Sequence, residues 1–136
     1  MIVYLDSSCG VSLIKKEPTT ESVRSYVDDL IDDGHLIVSG QIFETELKRV
    51  AVRFGIDPQR ATDLLDSIEL IEHEPVDFSR AGSLSMPDLG SLDALHVATA
   101  HRANAMAMLT FDTRLAAASA AVGIPVLDVT RPRTLH

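Results

Sequence analysis

The chain has 136 residues, of which 46% are hydrophobic and 4% aromatic, and a formal net charge of −8 at pH 7. The length predicts a single domain over residues 1–136 with a core of aliphatic side chains. The acidic balance argues against a broad basic surface for nucleic acid. With one cysteine and no apolar run near the roughly 20 residues that cross a bilayer, we expect a cytoplasmic protein without a membrane partner.

The predicted elements alternate between strand and helix from the N-terminus onward. Residues 2–5 form a short buried strand, and the small residues after it begin a helix over 7–15. A second helix, over 19–33, has apolar side chains at helical spacing and stops at Gly34. A second strand follows over 35–39. This order is typical of α/β proteins.

The clearest amphipathic helix covers 40–54, with Gly55 as its C-cap. Asp57 then caps a helix that has Pro58 at its first position. The remaining predicted elements are a strand at 67–72, a helix at about 76–83, a loop at 86–91, a helix at 92–103 capped by Ser91, a strand at 105–111, a helix at 113–123 and a strand at 124–129. Together they predict a three-layer α/β/α fold with a mostly parallel central sheet.

Two aspartates stand where an α/β sheet binds ligands, and a third begins a helix whose start the sequence does not assign to either end of the sheet. Asp6 follows the first strand and Asp112 follows the strand at 105–111, and open sheets bind ligands at the carboxyl ends of their strands. Asp93 lies in the first turn of a helix, where the helix dipole favours a carboxylate. Each also has a plainer interpretation as a cap, turn or dipole-complementing residue. The pattern alone does not make them converge.

Four stretches resemble the motifs of PIN-domain proteins, specifically the VapC-type toxins of bacterial toxin–antitoxin pairs. They are VYLDSSCGVSLIKKE, LIVSGQIFETELKRV, LGSLDALHVATA and MLTFDTRLAAASAAVGIPV. They occur in the order of the family over about residues 2–128. The resemblance implies a PIN-like fold and an acidic site whose catalytic and metal-binding residues are Asp6, Glu46, Asp93 and Asp112.

Two nearby residues, Glu44 and Glu46, are candidates for the glutamate of this set. Glu44 and Glu46 both flank the apolar face of the helix at 40–54, so periodicity does not distinguish them. The family places its glutamate directly before a leucine and a few residues before a basic position. Leu47 and Arg49 match that pattern for Glu46, and Glu44 is then expected to be a solvated surface residue.

The resemblance implies an endoribonuclease that depends on Mg²⁺, with Mn²⁺ as a substitute, and cuts single-stranded regions of RNA to leave a 5′-phosphate and a 3′-hydroxyl. Clustered carboxylates repel one another, and a divalent cation that prefers oxygen ligands relieves this repulsion. We expect Asp6 and Asp93 to bind the metal directly or through water, with Glu46 and Asp112 completing the site.

Several other side chains are candidates for supporting roles. Ser8 and Thr110 offer hydroxyls beside the expected metal, although Ser8 also has the ordinary interpretation of a helix cap. Arg114 is the cation nearest in sequence to Asp112. His96, one turn after Asp93, is more often a hydrogen-bonded core residue. Candidate contacts to RNA phosphates are Lys15, Lys16, Lys48, Arg49, Arg53, Arg102, Arg114, Arg131 and Arg133.

The resemblance also implies a cognate VapB-like antitoxin, a homodimer and a toxin–antitoxin hetero-oligomer. A haloacid-dehalogenase-like phosphotransferase is an alternative, but it needs a second Asp two residues after the first, where this chain has Ser8. A receiver-like signalling domain needs a late Lys, and no Lys follows Lys48. A catalytically silent PIN-fold binding module is a further alternative. The RNA target and the number of metal ions stay open.

Overall fold

The computed structural model describes residues 1–130. Its elements are β1 (Ile2–Leu5), α1 (Ser7–Ile14), α2 (Thr20–Asp32), β2 (Leu36–Gly40), α3 (Ile42–Phe54), α4 (Pro58–Asp66), β3 (Glu69–Ile71), α5 (Pro75–Gly82), α6 (Ser91–Arg102), β4 (Ala107–Leu109) and α7 (Thr113–Ala121). The four strands form one sheet in the order β3-β2-β1-β4, and every pairing is parallel.

The sheet separates two apolar clusters because successive side chains of a strand point to opposite faces. Val3 and Leu5 of β1 pack on one face with apolar side chains of α1 to α4. Tyr4 packs on the other face with side chains of α6 and α7, and α5 lies against α6. The predicted three-layer α/β/α fold with a parallel central sheet is therefore confirmed.

The local signals that end one helix and begin the next are also confirmed. Gly55 caps α3 in the left-handed conformation (φ 64°), which glycine adopts without a steric penalty. The carboxylate of Asp57 accepts a 2.9 Å hydrogen bond from the backbone N–H of Gln59, and Pro58 is the first residue of α4. These residues fix where the chain turns between two packed helices.

Two predictions about the second half of the chain are wrong in detail. The strand expected at 124–129 is a single parallel bridge between Met108 and Val126, since the backbone N–H of Ile124 bonds instead to Ser119 at the end of α7. The N-cap of α6 is Gly90, whose carbonyl accepts from Ala94, and Ser91 is already helical.

The strand expected at 105–111 pairs only over 107–109. Beyond Leu109 the backbone N–H groups of Phe111 and Asp112 bond to the side-chain hydroxyls of Ser8 and Thr110, which removes them from the ladder. β4 therefore ends early because side-chain hydroxyls take the backbone N–H groups that follow it.

Among the helices of residues 1–130, none has both the length and the apolar character that crossing a membrane requires.

Strand order places a crevice at the carboxyl end of the sheet. β1 is central, with β2 on one side and β4 on the other, so the chain reverses its direction of progress across the sheet at β1. Leu5 and Leu109 are register partners, and the backbone N–H of Asp6 donates to the carbonyl of Leu109 at 2.9 Å. The residues that follow β1 and β4 are therefore neighbours.

Candidate active site

An acidic pocket opens at this end of the sheet. Its lining includes Asp6 after β1, Glu46 from α3, Asp93 from the first turn of α6 and Asp112 before α7. Ser7, Ser8 and Phe111 also line it. The structure thus brings together all four carboxylates that the sequence singled out, from four separate parts of the chain.

Asp6 is buried, at 2% exposure, and caps α1. Its Oδ2 accepts hydrogen bonds from the hydroxyls of Thr110 at 2.8 Å and Ser8 at 2.9 Å, and from the backbone N–H of Ser8 at 3.4 Å. Among residues 1–130, its Oδ1 receives only a 3.4 Å contact from the Ser7 hydroxyl. Asp6 is therefore both a helix cap and a rigidly held carboxylate with one oxygen lightly used.

Asp112 has the same double character. It caps α7 through Oδ1, which accepts from the backbone N–H groups of Arg114 at 2.9 Å and Leu115 at 3.0 Å. Within residues 1–130 no hydrogen bond reaches its Oδ2. The Arg114 side chain is exposed and is not part of the pocket lining, so only its backbone serves the site.

The two candidate glutamates of α3 have different surroundings. Glu44 pairs with Lys48 at 2.7 Å and accepts from Gln41 at 3.0 Å, both on the exposed side of the helix. Glu46 lines the pocket, where its Oε2 accepts from the Ser7 hydroxyl at 3.2 Å. The structure therefore places Glu46, and not Glu44, among the three aspartates.

His96 contacts the site in a way that the sequence did not indicate. Its ring is fully buried, as expected for a core histidine, and Nε2 lies 2.6 Å from Oε1 of Glu46. Nδ1 lies 2.6 Å from the hydroxyl of Tyr4, which is also fully buried. The sequence offered one signal for this contact: His96 follows Asp93 by three residues, and residues at that spacing share a helix face.

The pKa of Asp93 is raised by its burial and by its position among the other carboxylates of the pocket. Burial raises the pKa of its carboxyl, and the negative charges of Asp6 and Asp112 raise it further. Within residues 1–130 no hydrogen bond to its carboxylate offsets this. Asp93 is thus held near like charges that the neighbouring His96, which lowers its pKa, offsets only in part, and a bound cation relieves such repulsion.

The donor set suits a particular kind of metal ion. It consists of carboxylate and hydroxyl oxygens, which Mg²⁺ and Mn²⁺ prefer over softer metals. Across residues 1–130 no three Asp, Glu, His or Cys side chains are arranged to hold an ion on their own. Mg²⁺ keeps several waters and takes one or two carboxylates directly. The residues therefore fit a hydrated ion reached by Asp6 and Asp93.

Three of the nine cations that the sequence offered for RNA phosphates make other contacts. Lys48 pairs with Glu44, Lys15 lies 3.9 Å over the ring of Phe54, and Arg102 binds the buried Asp77. Arg131 and Arg133 lie outside the described residues. No Lys or Arg of residues 1–130 lines the acidic pocket, so none of the described cations neutralises its carboxylates from within the lining.

A family model for the PIN domain matches residues 3–121. The chain belongs to the PIN domain family. It is 32% identical over 127 residues to ribonuclease VapC47 of Mycobacterium tuberculosis, a match that covers 90% of this chain and 93% of that protein. The resemblance seen in the four sequence motifs is thereby confirmed, including its VapC character.

Solved structures share the PIN fold. VapBC2 from Rickettsia felis, bound to a DNA fragment from the promoter, superposes with a TM-score of 0.71 at 19% identity, covering 93% of this chain and 98% of that one. A toxin–antitoxin complex from Klebsiella pneumoniae gives 0.69 at 19% identity, covering 93% and 97%. At these identities the likeness establishes the fold.

Proposed function

We propose that this PIN-domain protein is a VapC-type endoribonuclease toxin that depends on Mg²⁺ or Mn²⁺ and cuts single-stranded regions of RNA. The observation that carries this proposal is the convergence of four carboxylates in one pocket at the carboxyl end of the sheet. The similarity to a protein named ribonuclease VapC47 supports the same activity.

When bound, a divalent ion held by Asp6 and Asp93 would supply an activated water and neutralise charge on the phosphoryl oxygens. The protein contributes positioning. Ser8 and Thr110 hold Oδ2 of Asp6, so that Oδ1 is available to the ion or its waters. Asp93 adds a second carboxylate whose repulsion by Asp6 and Asp112 the ion removes.

Glu46 is suited to handle the proton of the attacking water. Its Oε1 is committed to His96 at 2.6 Å, whereas Oε2 has only the longer contact to Ser7 at 3.2 Å. A carboxylate oxygen within hydrogen-bond reach of the water can orient it and accept its proton. Attack on phosphorus then releases the 3′-oxygen and leaves the 5′-phosphate.

A VapB-like antitoxin is the proposed protein partner, in a hetero-oligomer built on a toxin homodimer. The similar Rickettsia felis structure is named VapBC2, and the similar Klebsiella pneumoniae structure is a toxin–antitoxin complex. A pocket lined by five carboxylates, the four of the site and that of Glu17, and by no cation among residues 1–130 would attract a basic side chain from such a partner. The toxin chain would be a single domain over 1–136. We place its complex with the antitoxin in the cytoplasm.

The decisive experiment compares wild type with Asp6→Asn and Asp93→Asn, each freed from antitoxin, on RNA with Mg²⁺, with Mn²⁺ and with EDTA. We expect cleavage by wild type only with metal, and none by either variant. Asp88→Asn, an exposed aspartate in the loop before α6, is the matched control and should cleave normally. Full activity in Asp93→Asn would overturn the site, and an inactive wild type would favour the silent binding module.

A further inference from the structure

A line of buried hydrogen bonds runs from the sheet to the acidic pocket. The Tyr4 hydroxyl on β1 lies 2.6 Å from Nδ1 of His96 on α6, and Nε2 of that ring lies 2.6 Å from Oε1 of Glu46 on α3. Tyr4 and His96 are both 0% exposed. The line joins three elements that are distant in sequence, and it ends on a pocket carboxylate.

The direction of the protons follows from the donors. Oε1 of the Glu46 carboxylate only accepts, so Nε2 of His96, 2.6 Å away, carries the proton. Nδ1 then accepts from the Tyr4 hydroxyl, also at 2.6 Å. A neutral imidazole that accepts at Nδ1 carries its proton on Nε2 and donates it to Glu46.

Glu46 needs such a partner more than Asp6 and Asp112 do. Asp6 and Asp112 are helix caps, and backbone N–H groups hold their carboxylates. Glu46 lies inside α3, where the backbone N–H groups are used within the helix, and its side chain has more rotatable bonds. Its two oxygens are therefore oriented by side chains alone, those of His96 and Ser7.

We propose that Tyr4 and His96 are positioning residues for catalysis: Tyr4 fixes the Nε2–H tautomer of His96, and His96 holds Oε1 of Glu46 so that Oε2 meets the attacking water. This inference rests on the proposed ribonuclease function. The line reaches Glu46 through Oε1, so it orients the carboxylate and leaves Oε2 on the pocket side with Ser7.

The test is Tyr4→Phe, which removes one oxygen atom and keeps the ring. Thr99→Val is the matched control, because Thr99 is equally buried on α6 and its hydroxyl lies 2.7 Å from Nδ1 of His73, away from Glu46. Both variants lose one buried hydrogen bond, and both should lower the Tm by a few degrees. Only Tyr4→Phe should lower kcat, by about tenfold, with KM unchanged.

A double-mutant comparison tests the coupling to Glu46. In a Glu46→Gln background, Tyr4→Phe should lower the residual kcat by less than twofold, because its effect passes through the carboxylate. If Tyr4→Phe unfolds the protein, His96→Gln, whose amide can donate in place of Nε2–H, should keep more activity than His96→Leu. Equal losses of kcat in Tyr4→Phe and Thr99→Val would overturn the inference.

The tautomer is measurable without any activity. Nitrogen-15 correlation spectra of the imidazole rings in the metal-free protein should show His96 as Nε2–H in wild type and a changed ring signal in Tyr4→Phe. An Nδ1–H ring or an imidazolium at neutral pH in wild type would overturn the inference while leaving the ribonuclease proposal intact. A wild type that cleaves no RNA would overturn the proposed function, and the spectra would still decide whether Tyr4 sets the tautomer.

Discussion

The hydroxyl of Thr110 donates a 2.8 Å hydrogen bond to Oδ2 of Asp6, 104 positions earlier in the chain. The Ser8 hydroxyl donates to the same oxygen at 2.9 Å. Each hydroxyl also accepts a hydrogen bond from a backbone N–H just beyond β4: Thr110 from Asp112, and Ser8 from Phe111. Both hydroxyl protons are thus used on one oxygen of Asp6. The ends of β1 and β4 are joined by the same groups that orient the carboxylate.

Thr110→Val should therefore weaken metal binding without removing a carboxylate. Loss of a hydrogen bond to a ligating side chain typically costs about 10–100-fold in metal affinity or activity. We expect a loss in that range for the apparent Mn²⁺ affinity, measured by calorimetry. Ser12→Ala is the control, since Ser12 is a buried hydroxyl of α1 that pairs with Thr19 instead. Wild-type Mn²⁺ affinity in Thr110→Val would contradict this role.

Glu46→Gln and Glu44→Gln separate a site residue from a surface residue two positions away. Glu46→Gln should lower kcat by about 100-fold or more, because an amide cannot accept the proton of the water. Glu44→Gln should leave kcat unchanged and lose only the exposed pair with Lys48, a cost of about 0.3–0.5 kcal/mol. The comparison needs RNA cleavage rates and urea unfolding of both variants. The opposite ranking of rates would move the site to Glu44.

Periodicity and the order of the elements predicted the layers and the parallel sheet, and strand-end position marked Asp6 and Asp112, because these are local signals. Glu46 and the grouping of the four carboxylates came from the family resemblance. It could not predict that His96 pairs with Glu46, because that contact depends on how α3 and α6 lie relative to one another across the sheet. The prediction of a strand at 124–129 was wrong for a similar reason. Its apolar pattern was present, but the backbone there makes hydrogen bonds to α7 and a single bridge to Met108.

Asp93→Asn should stabilise the metal-free protein at neutral pH. The pKa of Asp93 is raised in the folded state, so folding is favoured while the group is protonated, and that contribution is lost as the pH rises from about 4 through the folded pKa. The asparagine variant avoids this loss. With EDTA present, its Tm should exceed that of wild type at pH 7, and the difference should vanish at pH 3.5. Asp88→Asn should show no such pH-dependent gain, and a lower Tm for Asp93→Asn at pH 7 would contradict the repulsion.

Asp77→Asn tests a buried ion pair away from the pocket. Burial by itself would raise the pKa of Asp77, but the hydrogen bonds from Arg102 at 2.9 Å and from the backbone N–H of Glu74 outweigh it and hold the pKa below its usual value. The pair therefore stabilises the fold above pH 4, and this stability is lost as the pH falls through the lowered pKa. Asp77→Asn should cost about 3 kcal/mol at pH 7, measured by urea unfolding.

Two comparisons make the result for Asp77 specific. Glu74→Gln removes the exposed partner of Arg102, at 3.4 Å, and should cost less than about 1 kcal/mol. The destabilisation caused by Asp77→Asn should shrink as the pH falls below about 4, because the stability that the wild-type carboxylate contributes is lost as the pH falls through its lowered pKa. A cost that stays constant over this range would show that packing, and not the ion pair, is responsible.

Gly40→Ala should destabilise the protein through the same Tyr4 that positions His96. A Cβ at position 40 would lie 2.6 Å from the Tyr4 hydroxyl and would overlap the ring of His73. Both groups are held by α6, Tyr4 through His96 and His73 through Thr99, so neither can move without breaking a buried hydrogen bond. We expect a cost of about 1–3 kcal/mol in urea unfolding, as for an overpacked core.

Gly82→Ala is the matched control for Gly40→Ala, because nothing lies within 4 Å of a Cβ at position 82 and alanine favours the helix that it ends. Adding Tyr4→Phe to Gly40→Ala should recover part of the lost stability, since the phenylalanine ring lacks the overlapping oxygen. It should not recover kcat, because the donor to His96 is gone. Gly40→Ala with wild-type stability would mean that the ring of His73 and the hydroxyl of Tyr4 are free to shift, and the fixed line to Glu46 would not exist.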